Sequence, residues 1–236
     1  MLINGLQKLS LLDYPGRLAA TVFTGGCNLR CPFCHNAPLV LRPNEGERIS
    51  EKEVLSFLEK RRGILDGVCI TGGEPLLQEE LADFIVKVRE LGFLVKLDTN
   101  GTFPERLSSL IRRGLVDYVA MDIKNSFEKY PQTVGIPNFN PAPVFESAAL
   151  LIRGSLPYEF RTTLVRAFHA EEDIENIGRA IRGAKNYFLQ NFEDSGDLVG
   201  FSDPASFVPL GGFSEPEIKH FRDILARYAE NVGIRN

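Results

Sequence analysis

What most limits the fold of this chain is an alternation of short apolar runs with longer amphipathic stretches. Runs at 18–24, 67–71, 93–98, 117–123, 158–164 and 187–190 read as strands. The stretches at 50–62, 79–91, 104–113, 143–153 and 171–182 read as helices, and Ser214 opens a last helix to about residue 230. Local signals agree. Ser50-Glu51-Lys52-Glu53 has the form of a capping box, Gly92 suits a helix C-terminus, and Pro104 stands in a first turn, where its missing N–H costs nothing. Strand–helix alternation predicts an α/β fold with a parallel sheet. Six such units are too few to close an eight-stranded barrel. In parallel α/β folds, ligands collect at the C-terminal ends of the strands.

The 236 residues, 44% hydrophobic and 25% charged, suffice for one domain with a substantial core. The expected division is a lead-in at 1–17, a core at 18–190, and a tail loop with a C-terminal helix at 191–236. A formal charge of −4 argues against nucleic acid as the main partner. No apolar run approaches the ~20 residues of a membrane span. The opening Met1-Leu2-Ile3-Asn4-Gly5 lacks the basic and apolar regions of an export signal. A cytoplasmic, reducing setting is expected.

Three of the four cysteines fall in the run Cys27-Asn28-Leu29-Arg30-Cys31-Pro32-Phe33-Cys34-His35-Asn36, with spacing C-x3-C-x2-C. Three thiolates on one short loop suit a cubane iron–sulfur cluster that leaves its fourth iron open. A structural zinc site would need a fourth ligand. His35 directly follows Cys34, and no second Cys or His pair lies further along. A disulfide framework does not suit a long, cysteine-poor chain of reducing setting.

The pattern C-x3-C-x-aromatic-C, with Phe33 as the aromatic, resembles the signature of radical S-adenosylmethionine (SAM) enzymes. The resemblance implies a partial (β/α)6 barrel, open on one side, as a single domain over 1–236. It implies a [4Fe-4S] cluster on Cys27, Cys31 and Cys34, and SAM on the open iron. Reductive cleavage of SAM would give a 5′-deoxyadenosyl radical that abstracts a hydrogen atom.

The other candidate residues stand at strand ends. Thr71-Gly72-Gly73-Glu74-Pro75 closes the second strand, where two glycines permit close backbone approach to a ligand. In the resembled family this segment contacts the SAM ammonium group. Leu97-Asp98-Thr99-Asn100-Gly101 closes the third strand and Met121-Asp122-Ile123-Lys124 the fourth. By themselves they read as a polar turn, with Asn-Gly suited to positive φ, and as an Asp–Lys pair at the barrel rim. The resemblance implies that Asp98, Thr99 and Asp122 lie near the SAM methionine group, with a monovalent cation near Asp98 and Asp122. It gives Asn100 a hydrogen-bonding role, and it has Lys124 pair with the SAM carboxylate or a rim carboxylate. Arg161, within the fifth strand, points to a polar interior, since charged residues are rarely buried unpaired. It would contact SAM or close a salt bridge, and Gln190 at the end of the sixth strand would reach the ribose. His169 reads as an exposed residue before a helix, His220 as a surface residue, and Cys69 as a small buried hydrophobe without a role.

Asp13-Tyr14-Pro15-Gly16 before the first strand, and His35-Asn36 after the third cysteine, resemble glycyl-radical enzyme activating enzymes. Within that group the chain is most similar to the activating proteins of anaerobic ribonucleoside-triphosphate reductase. The implied function is hydrogen abstraction from a glycine of that reductase, with a flavodoxin- or ferredoxin-type electron donor. Activation of another glycyl-radical enzyme, such as pyruvate formate-lyase, is the nearest alternative. A small-molecule enzyme of the 7-deazaguanine type is another. The aromatic segment 125–140, with Phe127, Tyr130 and Phe139, and the tail loop 207–213 are candidate linings for the partner's glycine loop.

Overall fold

The computed structural model describes residues 1–194, 196, 198–202 and 210–235. They hold eight strands: β1 (Ile3–Ser10), β2 (Ala19–Thr24), β3 (Gly67–Gly72), β4 (Leu94–Thr99), β5 (Tyr118–Asp122), β6 (Tyr158–Leu164), β7 (Ala184–Asn191) and β8 (Ala229–Arg235). The helices are α1 (Ala37–Leu41), α2 (Glu51–Glu59), α3 (Leu81–Glu90), α4 (Pro104–Arg112), α5 (Tyr130–Thr133), α6 (Ala142–Arg153), α7 (Glu171–Ala180) and α8 (Glu215–Leu225). Short 3-10 turns lie at Pro75–Leu77 and Val199–Ser202. The fold is α/β with a mostly parallel sheet.

Two compact units divide the chain. The first comprises Met1–Asn28, Pro38–Thr99 and Glu105–Ala120. Its strands follow the order β1-β2-β3-β4 and then the Tyr118–Ala120 part of β5. β1 is antiparallel to β2, and β2, β3 and β4 are parallel. Residues Val68, Cys69 and Ile70 of β3 are all buried, as a parallel strand covered on both faces requires. Helix α3 turns Leu81, Phe84, Ile85 and Val88 inward, and α2 turns Val54 and Leu58. The capping box of α2 is formed: Ser50 Oγ accepts from Glu53 N–H at 3.2 Å while Ser50 N–H donates to Glu53 Oε2 at 2.8 Å. Tyr14-Pro15-Gly16-Arg17 closes a type II turn, with Gly16 at φ +69° and Arg17 N–H donating to Tyr14 O at 3.1 Å.

The second unit comprises Leu29–Ala37, Asn100–Pro104 and Met121–Asn236. The end of β5 leads its strand order, followed by β6, β7 and β8, with β6-β7-β8 parallel. Helices α6, α7 and α8 turn aliphatic faces inward through Val144, Ala148, Leu151, Ile174, Ile177, Ile218, Ile224 and Leu225. Arg235 of β8 grips the buried Glu159 of β6 with two hydrogen bonds of 2.6 and 2.7 Å.

All six expected strands are present. Four elements were not expected. β1 stands where a lead-in was read, because its polar residues and Gly5 hide the strand period. β8 begins at Ala229, where the last helix was expected to end, and that helix stops at Leu225. The short α1 and α5 carry too little period to see. Among the described residues no helix is long and apolar enough to cross a membrane.

Candidate active site

In the first unit, β2 runs into Gly25-Gly26-Cys27 and β3 into Gly72-Gly73-Glu74. Main-chain bonds brace the two turns. Gly73 N–H donates to Thr24 O and Glu74 N–H to Gly26 O, both at 2.8 Å. The approach leaves no room for a side chain, since a Cβ on Gly73 would stand 1.9 Å from Gly26 O. Gly72 has φ +111°, and a Cβ there would meet Thr24 N and O at 2.5 Å. Glu74 is fully buried. Its Oε1 accepts from Leu76 N–H at 3.0 Å and from Thr99 Oγ1 at 2.8 Å, so Gly72, Gly73, Glu74 and Thr99 form one structure.

Asp98 lies next to Thr99 at the end of β4. Its Oδ1 takes a charged hydrogen bond from Lys96 Nζ, and its Oδ2 lies 3.4 Å from Thr71 Oγ1. Cys69 Sγ stands 3.6 Å from Asp98 Oδ1 and 3.7 Å from Lys96 Nζ. Cys69 is buried, as expected, but among polar groups rather than in a purely apolar setting. Lys96, only 2% exposed, is a site residue that the sequence reading does not name. The signal was available: like Arg161, it is a charged residue inside an otherwise apolar strand run.

In the second unit, the end of β5 carries Asp122 between two cations. Lys124 Nζ donates to Asp122 Oδ2 at 2.9 Å and Arg161 Nε to Oδ1 at 3.0 Å. Burial alone would raise the Asp122 pKa, but the Lys124 and Arg161 charges hold it well below the usual carboxylate range. Its side chain keeps 29% of its surface exposed, so the group is not sealed in the core. Burial alone would lower the Lys124 pKa. Asp122 and then the thiols of Cys31 and Cys34 act in the opposite sense and lift it above the ordinary lysine value. Lys124 and Arg161 thus close salt bridges to a rim carboxylate, one of the two alternatives the sequence left open for each.

The cysteine loop within this unit is tied by its backbone. Cys34 N–H donates to Cys31 O at 3.0 Å, Val199 N–H to Cys34 O at 3.2 Å, and Gly200 N–H to Pro32 O at 2.9 Å. Phe33 is buried, its ring centroid 5.9 Å from that of Phe168. His35 stacks on Phe192 and its Nε2 lies 2.7 Å from Glu193 O, so its ring packs against the chain after β7.

Asn100 serves its own turn: Oδ1 accepts from Thr102 N–H at 3.0 Å and Oγ1 at 2.6 Å, and Gly101 follows with φ +75°. Gln190 sits in β7 opposite Thr163 of β6 and Arg235 of β8. Tyr130 is not an exposed lining residue. It is buried, stacked on Phe139 at 5.6 Å, while Phe127 remains 48% exposed. Of the tail loop 207–213, residues 207–209 lie outside the described residues, and Phe213 packs edge-on against Phe221.

The sequence reading of His169 as exposed is overturned. It is 4% exposed and bridges two loops. Nδ1 accepts from Val165 N–H at 3.1 Å, so Nε2 carries the proton and donates to Lys124 O at 2.8 Å. Burial lowers its pKa from 6.5 despite these bonds. The reason for the miss is the loop's path: Phe168 and His169 turn inward before α7 begins. His220 is exposed, as expected, 3.0 Å from Glu171.

The donor set fits an iron–sulfur cluster. Cys27, Cys31 and Cys34 form no disulfide and offer three sulfur donors, Cys31 buried and the others half-buried. Among the described residues no trio of His, Cys, Asp or Glu is gathered into a metal-holding arrangement, so the fit rests on donor chemistry and loop. Lys96 Nζ already pairs with Asp98 Oδ1, and Lys124 and Arg161 pair with the two oxygens of Asp122.

The family model described as the radical SAM superfamily matches residues 21–181. The chain belongs to the radical SAM superfamily. It is a radical SAM enzyme, and that membership implies a [4Fe-4S] cluster and SAM. A protein of Methanocaldococcus jannaschii carrying the provisional name glycyl-radical enzyme activating enzyme MJ1227 is 34% identical, over 99% of this chain and 95% of its own length. The pyruvate formate-lyase-activating enzyme of Clostridium pasteurianum is 33% identical over 52% of each chain. Among solved structures, a domain of a pyruvate-formate lyase-activating enzyme from Bacteroides vulgatus superposes with a TM-score of 0.57 at 20% identity, covering 72% of this chain and 99% of that one. That last likeness shows the fold.

Proposed function

We propose that this radical SAM enzyme installs a glycyl radical on a partner enzyme, with anaerobic ribonucleoside-triphosphate reductase as that partner. The observation that carries the activating role is the near full-length similarity to the M. jannaschii protein. The ribonucleotide reductase assignment rests on the Asp13-Tyr14-Pro15-Gly16 and Arg161-Thr162-Thr163-Leu164-Val165 wording of the sequence. Pyruvate formate-lyase is the second reading, favoured by the name of the C. pasteurianum relative.

Cys27, Cys31 and Cys34 would hold the cluster. When bound, the cluster and SAM supply one-electron cleavage of the sulfonium and a radical able to take a glycine hydrogen atom. The residues of the chain do the rest. The braced Gly72-Gly73-Glu74 turn offers backbone to the amino acid end of SAM. Lys124 and Arg161 supply positive charge for a carboxylate, and Asp122 holds both side chains in place. Asp98, Thr99 and Asn100 line the end of β4, and Gln190 extends toward a ribose. A flavodoxin- or ferredoxin-type protein would deliver the electron in a reducing, cytoplasmic setting.

The test is anaerobic. The cluster is reconstituted and reduced, then mixed with SAM and the reductase, and the electron paramagnetic resonance spectrum is recorded. A glycyl doublet that vanishes without SAM is the expected result. SAM cleavage with a silent reductase and a doublet on pyruvate formate-lyase would move the assignment to the second reading.

A further inference from the structure

The polar face shared by β3 and β4 in the first unit holds a charge that the proposed reaction does not use. Cys69 and Lys96 are partners in the parallel register, and Thr71 and Asp98 lie two residues further along each strand. Side chains two apart on a strand point to the same face, so all four share one side of the sheet. There Lys96 is 2% exposed and Asp98 only 14% exposed at its side chain. An ammonium so buried must be paired, and its carboxylate partner is Asp98 Oδ1, with the soft Cys69 Sγ beside it at 3.7 Å.

We infer that the ammonium of Lys96 is the built-in counter-cation of Asp98, so that this carboxylate takes no free metal cation. Three observations converge. The ammonium already balances the charge of the carboxylate at Oδ1. The flexible lysine stem comes from β4 itself, two residues before Asp98, so the cation is delivered by the same strand that positions the anion. Thr71 Oγ1 lies 3.4 Å from the second carboxylate oxygen, fixing the group from its other side. Lys96 is thus a positioning residue: it holds the Asp98 side chain in place without recruiting an ion from solution. The inference rests on the proposed SAM site only for its consequence; the pairing itself is a property of the protein without cofactors.

The test separates the two. Thermal midpoints of the cofactor-free protein are measured in sodium, potassium and choline chlorides at one ionic strength, for the native chain and for Lys96→Met. The native midpoint is expected to be the same in all three salts. Lys96→Met is expected to melt lower in choline and to recover in sodium or potassium, because an ion can then enter the vacated place. A native midpoint that rises by several degrees in sodium or potassium over choline would overturn the inference. So would a folded Lys96→Met that ignores the cation. If Lys96→Met does not fold in any salt, Lys96→Met with Asp98→Asn decides: recovery on removing the carboxylate supports charge balancing, and continued failure assigns Lys96 to packing and overturns it. On the cluster-loaded protein, SAM affinity by calorimetry should stay within twofold across the salts for the native chain and gain at least fivefold with sodium or potassium in Lys96→Met. Loss of SAM binding in every salt by the native chain would count against the proposed function and leave the melting result intact.

Discussion

A methyl group at Gly73 would press into the carbonyl oxygen of Gly26 from 1.9 Å, and no flexible side chain stands between them to give way. Gly73→Ala should therefore cost about 3 kcal/mol of stability or more, as a backbone clash in a packed site. A urea melt with the native chain alongside reads it directly. At Cys69 the expectation is the opposite. Its thiol is buried beside Asp98 and Lys96 and lies outside the cysteine loop, so Cys69→Ser should keep the iron content of the reconstituted protein unchanged. Iron analysis showing loss of the cluster would refute that reading. Residues of this kind differ in how visible they were. Glycine pairs at strand ends announce themselves, because few other residues tolerate such approach. The partner of His169, the carbonyl of Lys124, is chosen by the way the chain folds back and leaves no trace in the sequence, whereas Lys96 and Asp98 stand two residues apart on one strand and their pairing is legible there.

At the scale of elements, the strand–helix alternation was legible because each parallel strand needs a covered, continuous apolar run. β1 and β8 escaped for the converse reason: their residues are largely half-buried or exposed and their runs are interrupted by Gly5 and Gly233. β8 nevertheless carries weight. Its Arg235 answers the buried Glu159, and Arg235→Met would leave a carboxylate without its cation, at a cost of about 2 kcal/mol given the partial exposure of the arginine. Denaturant titration at neutral pH measures it. The loop before α7 has its own pH signature. His169 is held neutral, with its folded pKa below the ordinary 6.5, so the unfolded chain binds protons more readily. Its contribution is complete above about pH 6.5 and is lost as the pH falls through the lowered value. Unfolding free energies measured from pH 7.5 to 5 should fall across that window, and His169→Gln should flatten this part of the profile.

For the whole molecule, the prediction concerns loading. Anything that binds the folded chain and not the unfolded one raises the melting temperature by mass action. SAM at ~100 times its dissociation constant should add about 2.7 kcal/mol, a rise of several degrees for a chain of this size. Anaerobic reconstitution should give about four irons per chain. Cys27→Ala, Cys31→Ala and Cys34→Ala should each remove both the iron and the SAM-dependent rise. Full SAM cleavage by any of the three would refute the ligand assignment. The brace between the glycine turns has a consequence for how such a chain can vary. Its contacts at Thr24, Gly26, Gly73 and Glu74 run through main-chain atoms, which a change of side chain at Glu74 leaves standing. A one-residue insertion between Gly73 and Glu74 would shift the Glu74 donor off Gly26 O, so at Glu74 this corner should tolerate a change of side chain far better than a change of length.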